Sequence, residues 1–117
     1  MNANQKGCFA EYKFATIAIE NGFNVSMPLL DSSPYDCILE KDGDVFKIQI
    51  KYMAEHRRLL LKPSNASHYR YEDVDYFAVW HEKLDGFFVL KNIGQRTYSL
   101  NLSGEYKENF NNFDIIL

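Results

Sequence analysis

The sequence has few cysteines and no long apolar segment. Its 117 residues include two cysteines, Cys8 and Cys37, which lack the spacing of a metal motif and are too few for a disulfide framework. We expect both to be small buried side chains in a reducing compartment. No run approaches the roughly 20 apolar residues that a membrane span needs, and the polar first residues do not form an apolar signal core. These absences predict a cytoplasmic protein without a membrane partner.

The sequence also lacks an excess of basic residues. Its net charge of -3 at pH 7 argues against a non-specific nucleic-acid coat protein, which usually carries a basic excess. The charge is uneven, however, because residues 56–71 contain several basic side chains and no acidic one. A polyanion can bind locally to such a stretch while the rest of the surface stays acidic.

The remaining composition is that of a globular chain. An apolar share of 46% leads us to expect a single domain over residues 1–117. Residues 5–21 predict a helix that Asn2 or Asn4 caps and Gly22 ends, and strands are predicted at residues 23–28, 75–80 and 87–90. A helix followed by several strands predicts an α/β or mixed α+β fold. A stripe of mostly small residues is expected to let the helix lie close to the sheet: Cys8, Glu11, Ala15, Ala18 and Gly22.

The clearest local signal is a hairpin centred on Asp42 and Gly43. Asp-Gly between two apolar-rich runs is typical of a two-residue hairpin loop. With that loop, Lys41 faces Asp44, and the pairing then steps back one residue at a time along each arm. The register of every later pair follows from this turn, unless a β-bulge interrupts it.

The predicted register brings three polar residues together at the end of the hairpin away from its turn. Asp36 faces Gln49, and Lys51 points to the same side as Gln49 because strand side chains alternate in direction. The opposite face is apolar and core-like, with these residues: Tyr35, Cys37, Leu39, Phe46, Ile48, Ile50 and Tyr52. The polar residues therefore converge on the less apolar face.

Such a polar cluster suits metal-assisted hydrolysis of a phosphodiester. The side-chain oxygens of Asp36 and Gln49 are hard ligands suited to Mg²⁺ or Mn²⁺, and the Ile50 carbonyl can add to them. The Lys51 ammonium can orient a water and neutralise a phosphate, while Glu11 can approach from the helix as a further ligand. The alternative for these side chains is a polar strand face that is simply solvated.

The order and spacing of these residues resemble the PD-(D/E)XK nuclease superfamily. Asp36 matches the motif Asp, and residues 49–51 match its second half as Q-I-K. Gly7 and Glu11 match the G-x-x-x-E start of the first helix. Two further segments fit the same order: the G-F-x-V segment at residues 22–25 and the buried-strand run at residues 74–80. The resemblance covers about residues 5–53.

The resemblance implies a restriction-endonuclease-like core, with a central mixed β-sheet flanked by helices and the first helix packed on the sheet. It also implies dependence on Mg²⁺, with Mn²⁺ as a substitute, and a homodimer or homotetramer. Gln49 departs from the motif, because an acid usually stands there, and its loss should weaken metal binding. Some homing endonucleases of the superfamily carry Gln at this position, so the resemblance is closest to them and to Holliday-junction resolvases.

The basic stretch follows the predicted site directly and is the natural candidate for contact with double-stranded or branched DNA. Basic side chains bind phosphates, and hydroxyl and amide groups add backbone contacts. The candidate DNA-binding residues are Arg57, Arg58, Lys62, Ser64, Asn65 and Arg70. The alternative is a solvated loop with incidental charge.

Three functions follow from these observations. The first is a Mg²⁺-dependent DNA endonuclease in which Asp36, Gln49, the Ile50 carbonyl and Glu11 bind the metal and Lys51 is the catalytic cation. The second is a non-catalytic DNA-binding or assembly protein on the same fold, which the loss of the acid at Gln49 motivates. The third is an unrelated α+β interaction domain with a solvated polar face.

Overall fold

A computed structural model describes residues 1–30, 32–54, 58–60 and 73–116. Its described part contains one α-helix, seven strands and two short 3-10 helices, at Lys107–Asn109 and Phe113–Ile115. In chain order, the helix and strands are α1 (Ala3–Glu20), β1 (Asn24–Ser26), β2 (Cys37–Lys41), β3 (Asp44–Met53), β4 (Arg58–Leu60), β5 (Tyr76–His81), β6 (Gly86–Lys91) and β7 (Thr97–Ser99).

Five of the strands form one mixed sheet in the order β1-β2-β3-β5-β6. Its neighbouring strands are antiparallel except for β3 and β5, which run parallel. The remaining two strands, β4 and β7, pair in a separate antiparallel sheet. A mixed sheet with a helix packed on it confirms the predicted fold class.

Local sequence signals set both ends of α1. The Asn2 side chain accepts a hydrogen bond from the Gln5 N–H at 2.9 Å, and the Gln5 side chain accepts one from the Asn2 N–H at 2.8 Å. This reciprocal capping box satisfies two amides that have no partner within the helix. At the other end Gly22 adopts a φ of +89°, a left-handed conformation that glycine reaches without a steric penalty. The helix thus begins two residues earlier and ends one residue earlier than the predicted range of 5–21, with Gly22 just beyond its end as predicted.

The β2–β3 hairpin has the predicted turn and register. Asp42 and Gly43 both have positive φ values, 53° and 85°, as a type I′ turn requires. Lys41 pairs with Asp44, and the pairing continues in step to Cys37 with Ile48. The regular part of the ladder ends at that pair, one residue before the predicted pair of Asp36 with Gln49.

The buried side of α1 is not the one that the stripe of small residues predicts. Its buried positions are Ala10, Phe14 and Ala18, and the Phe14 ring lies 5.6 Å from that of Phe87. Cys8 is exposed, so the prediction that both cysteines are buried is wrong for Cys8 and confirmed for Cys37. The physical reason is that the Phe14 ring, not the small-residue stripe, fixes which side of α1 turns inward.

The sheet separates two apolar clusters. The face toward α1 carries the first cluster, which includes residues from β2, β3, β5 and β6. The second cluster covers the other face of β5 and β6 and includes Met53, Tyr98 and Leu100. β5 and β6 have apolar partners on both faces. Nearly every residue of these two strands is therefore buried, and buried residues do not alternate with exposed ones. Within the described residues, no helix is long and apolar enough to cross a membrane.

The packing of Phe14 generates a prediction about stability. Its side chain is fully buried, and removing the ring leaves a cavity between α1 and the sheet. Phe14→Ala is expected to lower the free energy of unfolding by about 3–5 kcal/mol. Ile19→Ala, on the same helix but 60% exposed, is the control and should change it by no more than about 0.5 kcal/mol. Denaturant unfolding monitored by circular dichroism measures both, and equal losses for the two variants would contradict this account of the core.

Candidate active site

Asp36 lies immediately before β2 and bonds to the β3 backbone through both its main chain and its side chain. Its N–H donates to the Ile48 carbonyl at 2.8 Å, and its carboxylate Oδ2 accepts from the Ile50 N–H at 2.7 Å. The regular β2–β3 pairing has ended at Ile48, so the Ile50 N–H lies beyond the last strand partner. The carboxylate takes the place of that missing partner, because a partly buried backbone N–H without an acceptor is costly.

The residue before Asp36 departs from the predicted pattern. Tyr35 was expected on the same face as Cys37, but it packs against the second apolar cluster, on the other side of the sheet. Tyr35 and Asp36 precede β2, so the strict alternation of strand side chains does not extend to them. The position of Asp36 is set by its two hydrogen bonds, not by a regular pair with Gln49.

Gln49 and Lys51 lie on the middle and later part of β3. Their neighbours Ile48 and Ile50 are buried toward α1, so Gln49 and Lys51 lie on the opposite face, where both are half-buried. The positive charge of Lys51 acts on Asp36 and opposes the rise of its pKa. The convergence of Asp36, Gln49 and Lys51 on one site stays a prediction.

Glu11 approaches the same region from α1. It is half-buried, and it acts electrostatically on Cys37, which is fully buried at the start of β2. Burial raises the pKa of the Cys37 thiol to about 12, and the negative charges of Asp36 and Glu11 add to the rise. The charges of both carboxylates therefore act on one thiol, at the sheet end opposite the hairpin turn. Sequence reasoning treated Cys37 only as a core residue, and no local signal marked it as the neighbour of both acids.

The electrostatic state of Asp36 favours a nearby cation. Burial raises its pKa, and the Ile50 hydrogen bond and the Lys51 charge only partly oppose that effect. The ionised carboxylate is thus incompletely compensated by the protein alone. The Ile50 carbonyl faces the same side of β3 as its N–H, toward Asp36, because both groups of a strand residue point the same way.

The predicted metal ligands are the carboxylates of Asp36 and Glu11, the Gln49 amide and the Ile50 carbonyl, all of which offer oxygen donors suited to a hard divalent cation. Glu11 lies on α1, whereas Gln49 lies on the face of β3 that points away from α1. In the described ranges, no three His, Cys, Asp or Glu side chains gather where they could hold a metal. Gln49 carries an amide and does not belong to these four residue types.

A groove beside Glu11 was not predicted. It has a volume of about 420 Å³ and runs along the first half of α1 to the residue after β1. The residues that line it are Ala3, Asn4, Gly7, Cys8, Glu11, Tyr12 and Met27. Because a Cβ at Gly7 would meet nothing within 4 Å, this side of the helix is open to a ligand. The three- and four-residue spacing of Asn4, Gly7, Cys8 and Glu11 was the available sequence signal.

Most of the predicted DNA-binding residues lie outside the described residues. These are Arg57, Lys62, Ser64, Asn65 and Arg70. Arg58 begins β4, where its backbone pairs with Ser99, and its side chain is also outside the description. The next residue, Leu59, packs against the second apolar cluster. Through Leu59, strand β4 therefore packs on the same face of the sheet as Lys51.

Comparisons with known proteins agree with this geometry. The family model described as PD-(D/E)XK endonuclease matches residues 1–114. The solved structure of the bacterial homing endonuclease I-Ssp6803I matches with a TM-score of 0.81 at 20% sequence identity, covering 100% of this chain and 94% of that one. A comparison with curated proteins gave no match. At this low identity the structural likeness shows the fold, while the match to the family rests on the sequence.

The contrast between the two cysteines is directly testable. Native protein treated with iodoacetamide at mildly alkaline pH should gain a single adduct, at the exposed Cys8. Cys37 should stay unmodified, because it is buried and a pKa of about 12 leaves almost no reactive thiolate. Intact-mass spectrometry reads the adducts, and denatured protein should gain both. Cys8→Ser is the control, which should gain none while native, and rapid modification of Cys37 in folded Cys8→Ser would contradict the described packing.

Proposed function

Because this chain belongs to the PD-(D/E)XK endonuclease family, we propose that it is a metal-dependent endonuclease that hydrolyses phosphodiester bonds in DNA. The observation that carries the proposal is the position of Asp36, whose carboxylate is fixed on the β3 backbone beside the charge of Lys51. The negative charge of Glu11 acts on the same Cys37 thiol as that of Asp36, which supports including Glu11 in the proposed centre. The proposed catalytic residues are Glu11, Asp36, Gln49 and Lys51.

The proposed cofactor is Mg²⁺, with Mn²⁺ as a substitute. Its ligands are Asp36, Glu11, Gln49 and the Ile50 carbonyl, which together offer the oxygen donors that both ions prefer. A bound ion supplies Lewis-acid polarisation of the phosphate and a more acidic water. The incompletely compensated charge of Asp36 supports this assignment, since a divalent cation removes the cost of keeping that carboxylate ionised.

In the proposed reaction, the side chains of the protein stabilise charge and hold the reacting groups in position. Lys51 orients the attacking water and offsets the negative charge that grows on the phosphate as the water oxygen bonds to phosphorus. The ester bond to the leaving oxygen breaks in the same displacement, the attacking water gives up one proton, and the leaving oxygen takes up one. The Ile50–Asp36 hydrogen bond restricts the carboxylate to one orientation, which reduces the reorganisation needed when substrate arrives.

Double-stranded DNA is the proposed substrate, and branched DNA is the second substrate to test. The likeness to a homing endonuclease supports the duplex. One active centre cuts one strand, so cutting both strands requires a homodimer or a homotetramer. The proposed DNA-contacting residues of the basic stretch are Arg57, Arg58, Lys62, Ser64, Asn65 and Arg70.

We further propose that residues 1–117 form one domain and that the protein acts in the cytoplasm.

A second candidate function is a DNA-binding or assembly protein without cleavage activity, and Gln49 is the observation that favours it. An amide in place of an acid lowers the negative charge available to a metal. This function requires DNA binding that does not depend on metal and is unchanged by Asp36→Ala. Filter binding or fluorescence anisotropy in the presence of a chelator distinguishes it from the first proposal.

The role of Lys51 is tested by cleavage. Purified protein incubated with Mg²⁺ or Mn²⁺ is expected to cut linear or branched duplex DNA. Lys51→Met should lower the cleavage rate by about 10²–10³-fold, since it removes one charge that stabilises the transition state. Lys47→Met is the matched control, because Lys47 lies on the same face of β3 but four residues nearer the turn, and it should retain most of the activity.

Gel electrophoresis of end-labelled DNA gives the rates. Two outcomes would oppose the proposed enzyme: no cleavage of either DNA form, or cleavage that Lys51→Met leaves intact. An unchanged unfolding temperature for Lys51→Met is required before a loss of activity is assigned to the missing charge.

The substitution of Gln49 by an acid should strengthen metal binding. Gln49→Glu restores a second oxygen ligand with negative charge and is expected to lower the Mg²⁺ dissociation constant on the order of tenfold. Isothermal calorimetry measures the binding without any reaction. Gln49→Ala is the control and should weaken binding, and equal affinities in all three proteins would remove Gln49 from the metal site.

A further inference from the structure

Two lysines lie along one side of helix α1, each above an aromatic ring of the sheet. The Lys6 Nζ is 5.5 Å from the centre of the Tyr52 ring, and the Lys13 Nζ is 5.8 Å from the centre of the Trp80 ring. Tyr52 and Trp80 are direct partners in the parallel pairing of β3 with β5. The two ammonium groups are therefore held above one continuous aromatic surface.

Phe9 fills the space between the lysines and tightens this arrangement. Its ring contacts those of Tyr52 and Trp80 edge-on, with centres 6.4 and 5.4 Å away, and 36% of the residue stays exposed. Below it, the Tyr52 hydroxyl donates to the Glu82 carboxylate at 2.7 Å, which holds the ring in place. The lysine stems can lie on rigid rings while their charges face solvent.

We propose that Lys6 and Lys13 form a second phosphate-binding strip, which contacts the backbone of the DNA that the active centre cuts. The inference rests on the proposed function, and it adds contacts outside the basic stretch of residues 56–71. Neither lysine belongs to the proposed catalytic set.

The position of the strip supports this assignment. Tyr52 directly follows Lys51 on β3, and neighbouring strand residues point to opposite faces, so the strip and the catalytic lysine flank the same end of the strand. Because β3 and β5 run parallel, Trp80 lies at that same end of the sheet. A duplex crossing this end of the sheet reaches both.

The spacing of the two lysines and the charge around Lys6 also support binding to a DNA backbone. Seven helical residues separate the lysine Cα atoms by roughly 10 Å, which is about three base-pair steps of a duplex. The first turn of α1 has no acidic residue, and Lys6 lies directly after it. Positive charge is unfavourable near the positive end of a helix dipole, so Lys6 is placed where an external anion improves its energy.

Salt dependence of DNA binding tests the strip directly. Each phosphate contact contributes about 0.9 to the slope of log K against log salt. Binding of a labelled linear duplex, measured by anisotropy in a chelator so that no cleavage occurs, is expected to lose about 2 from the slope in Lys6→Met/Lys13→Met. Methionine keeps an apolar stem over the rings and removes only the charge.

Two variants serve as controls. Lys6→Arg/Lys13→Arg keeps both charges and should keep the wild-type slope. Lys91→Met removes an exposed charge at the opposite end of the sheet, where Lys91 pairs with Tyr76, and should also leave the slope unchanged. A wild-type slope in Lys6→Met/Lys13→Met would overturn the inference and leave the lysines as covers for the rings. If the wild-type protein bound no duplex in the chelator and cut none with Mg²⁺ or Mn²⁺, the proposed function itself would fail. Cleavage with Mg²⁺ but no binding in the chelator would overturn the strip alone, because phosphate contacts by two lysines need no metal.

Trp80 gives an independent readout that needs no variant. It is the only tryptophan in the sequence, and the Lys13 ammonium lies over its ring. A phosphate that draws this ammonium away should change the Trp80 emission when duplex is added to the wild-type protein in a chelator. An emission spectrum that does not change at saturating duplex would count against the strip even if the double variant failed to fold.

Discussion

The hydrogen bond from the Ile50 N–H to the Asp36 carboxylate links the fold of this protein to its candidate active site. Ile50 lies on the part of β3 that extends past the first residue of β2, so its N–H has no acceptor on that strand. The hydrogen bond satisfies this N–H and holds the Asp36 Oδ2 at 2.7 Å from the Ile50 nitrogen. The other oxygen of the carboxylate is then held in a defined direction. Because the regular pairing of β2 with β3 stops at Cys37 and Ile48, the Ile50 N–H has no strand acceptor and donates to the Asp36 carboxylate instead.

This arrangement has an electrostatic cost that the rest of the site partly offsets. Burial raises the pKa of Asp36, and the Lys51 charge opposes the rise without cancelling it. The buried Cys37 thiol below cannot help, because its own pKa is raised to about 12 and it stays neutral. A nearby cation would lower the cost of keeping the Asp36 carboxylate ionised, which is why the proposed function places a metal there. The family of the chain and the proposed metal are consistent with it.

The packing of α1 decides which groups reach that site. Phe14 anchors the helix against β6 and the Phe113 ring, so Glu11 falls on the side near Cys37 while Lys6 and Lys13 fall on the side near Tyr52 and Trp80. One helix therefore supplies an acid to one side of the sheet end and two cations to the other. A duplex approaching this end meets a proposed metal centre flanked by positive charge, although the net charge of the chain is negative.

Sequence alone determined the features that depend on neighbouring residues: an asparagine cap for α1, the end of α1 before Gly22, and the Asp42–Gly43 turn with the register that follows from it. It left the cap open between Asn2 and Asn4, and the structure has it at Asn2. The order of the motif also identified the family and the candidate residues. Only the tertiary structure decided that Tyr35 turns to the other face, that Cys8 is exposed, and that Asp36 bonds to Ile50 rather than pairing with Gln49. Local rules fix turns and caps because their hydrogen bonds close within a few residues. The direction of a side chain beyond the end of a strand depends on which distant donor is left unsatisfied, and that is settled only when the whole sheet has assembled.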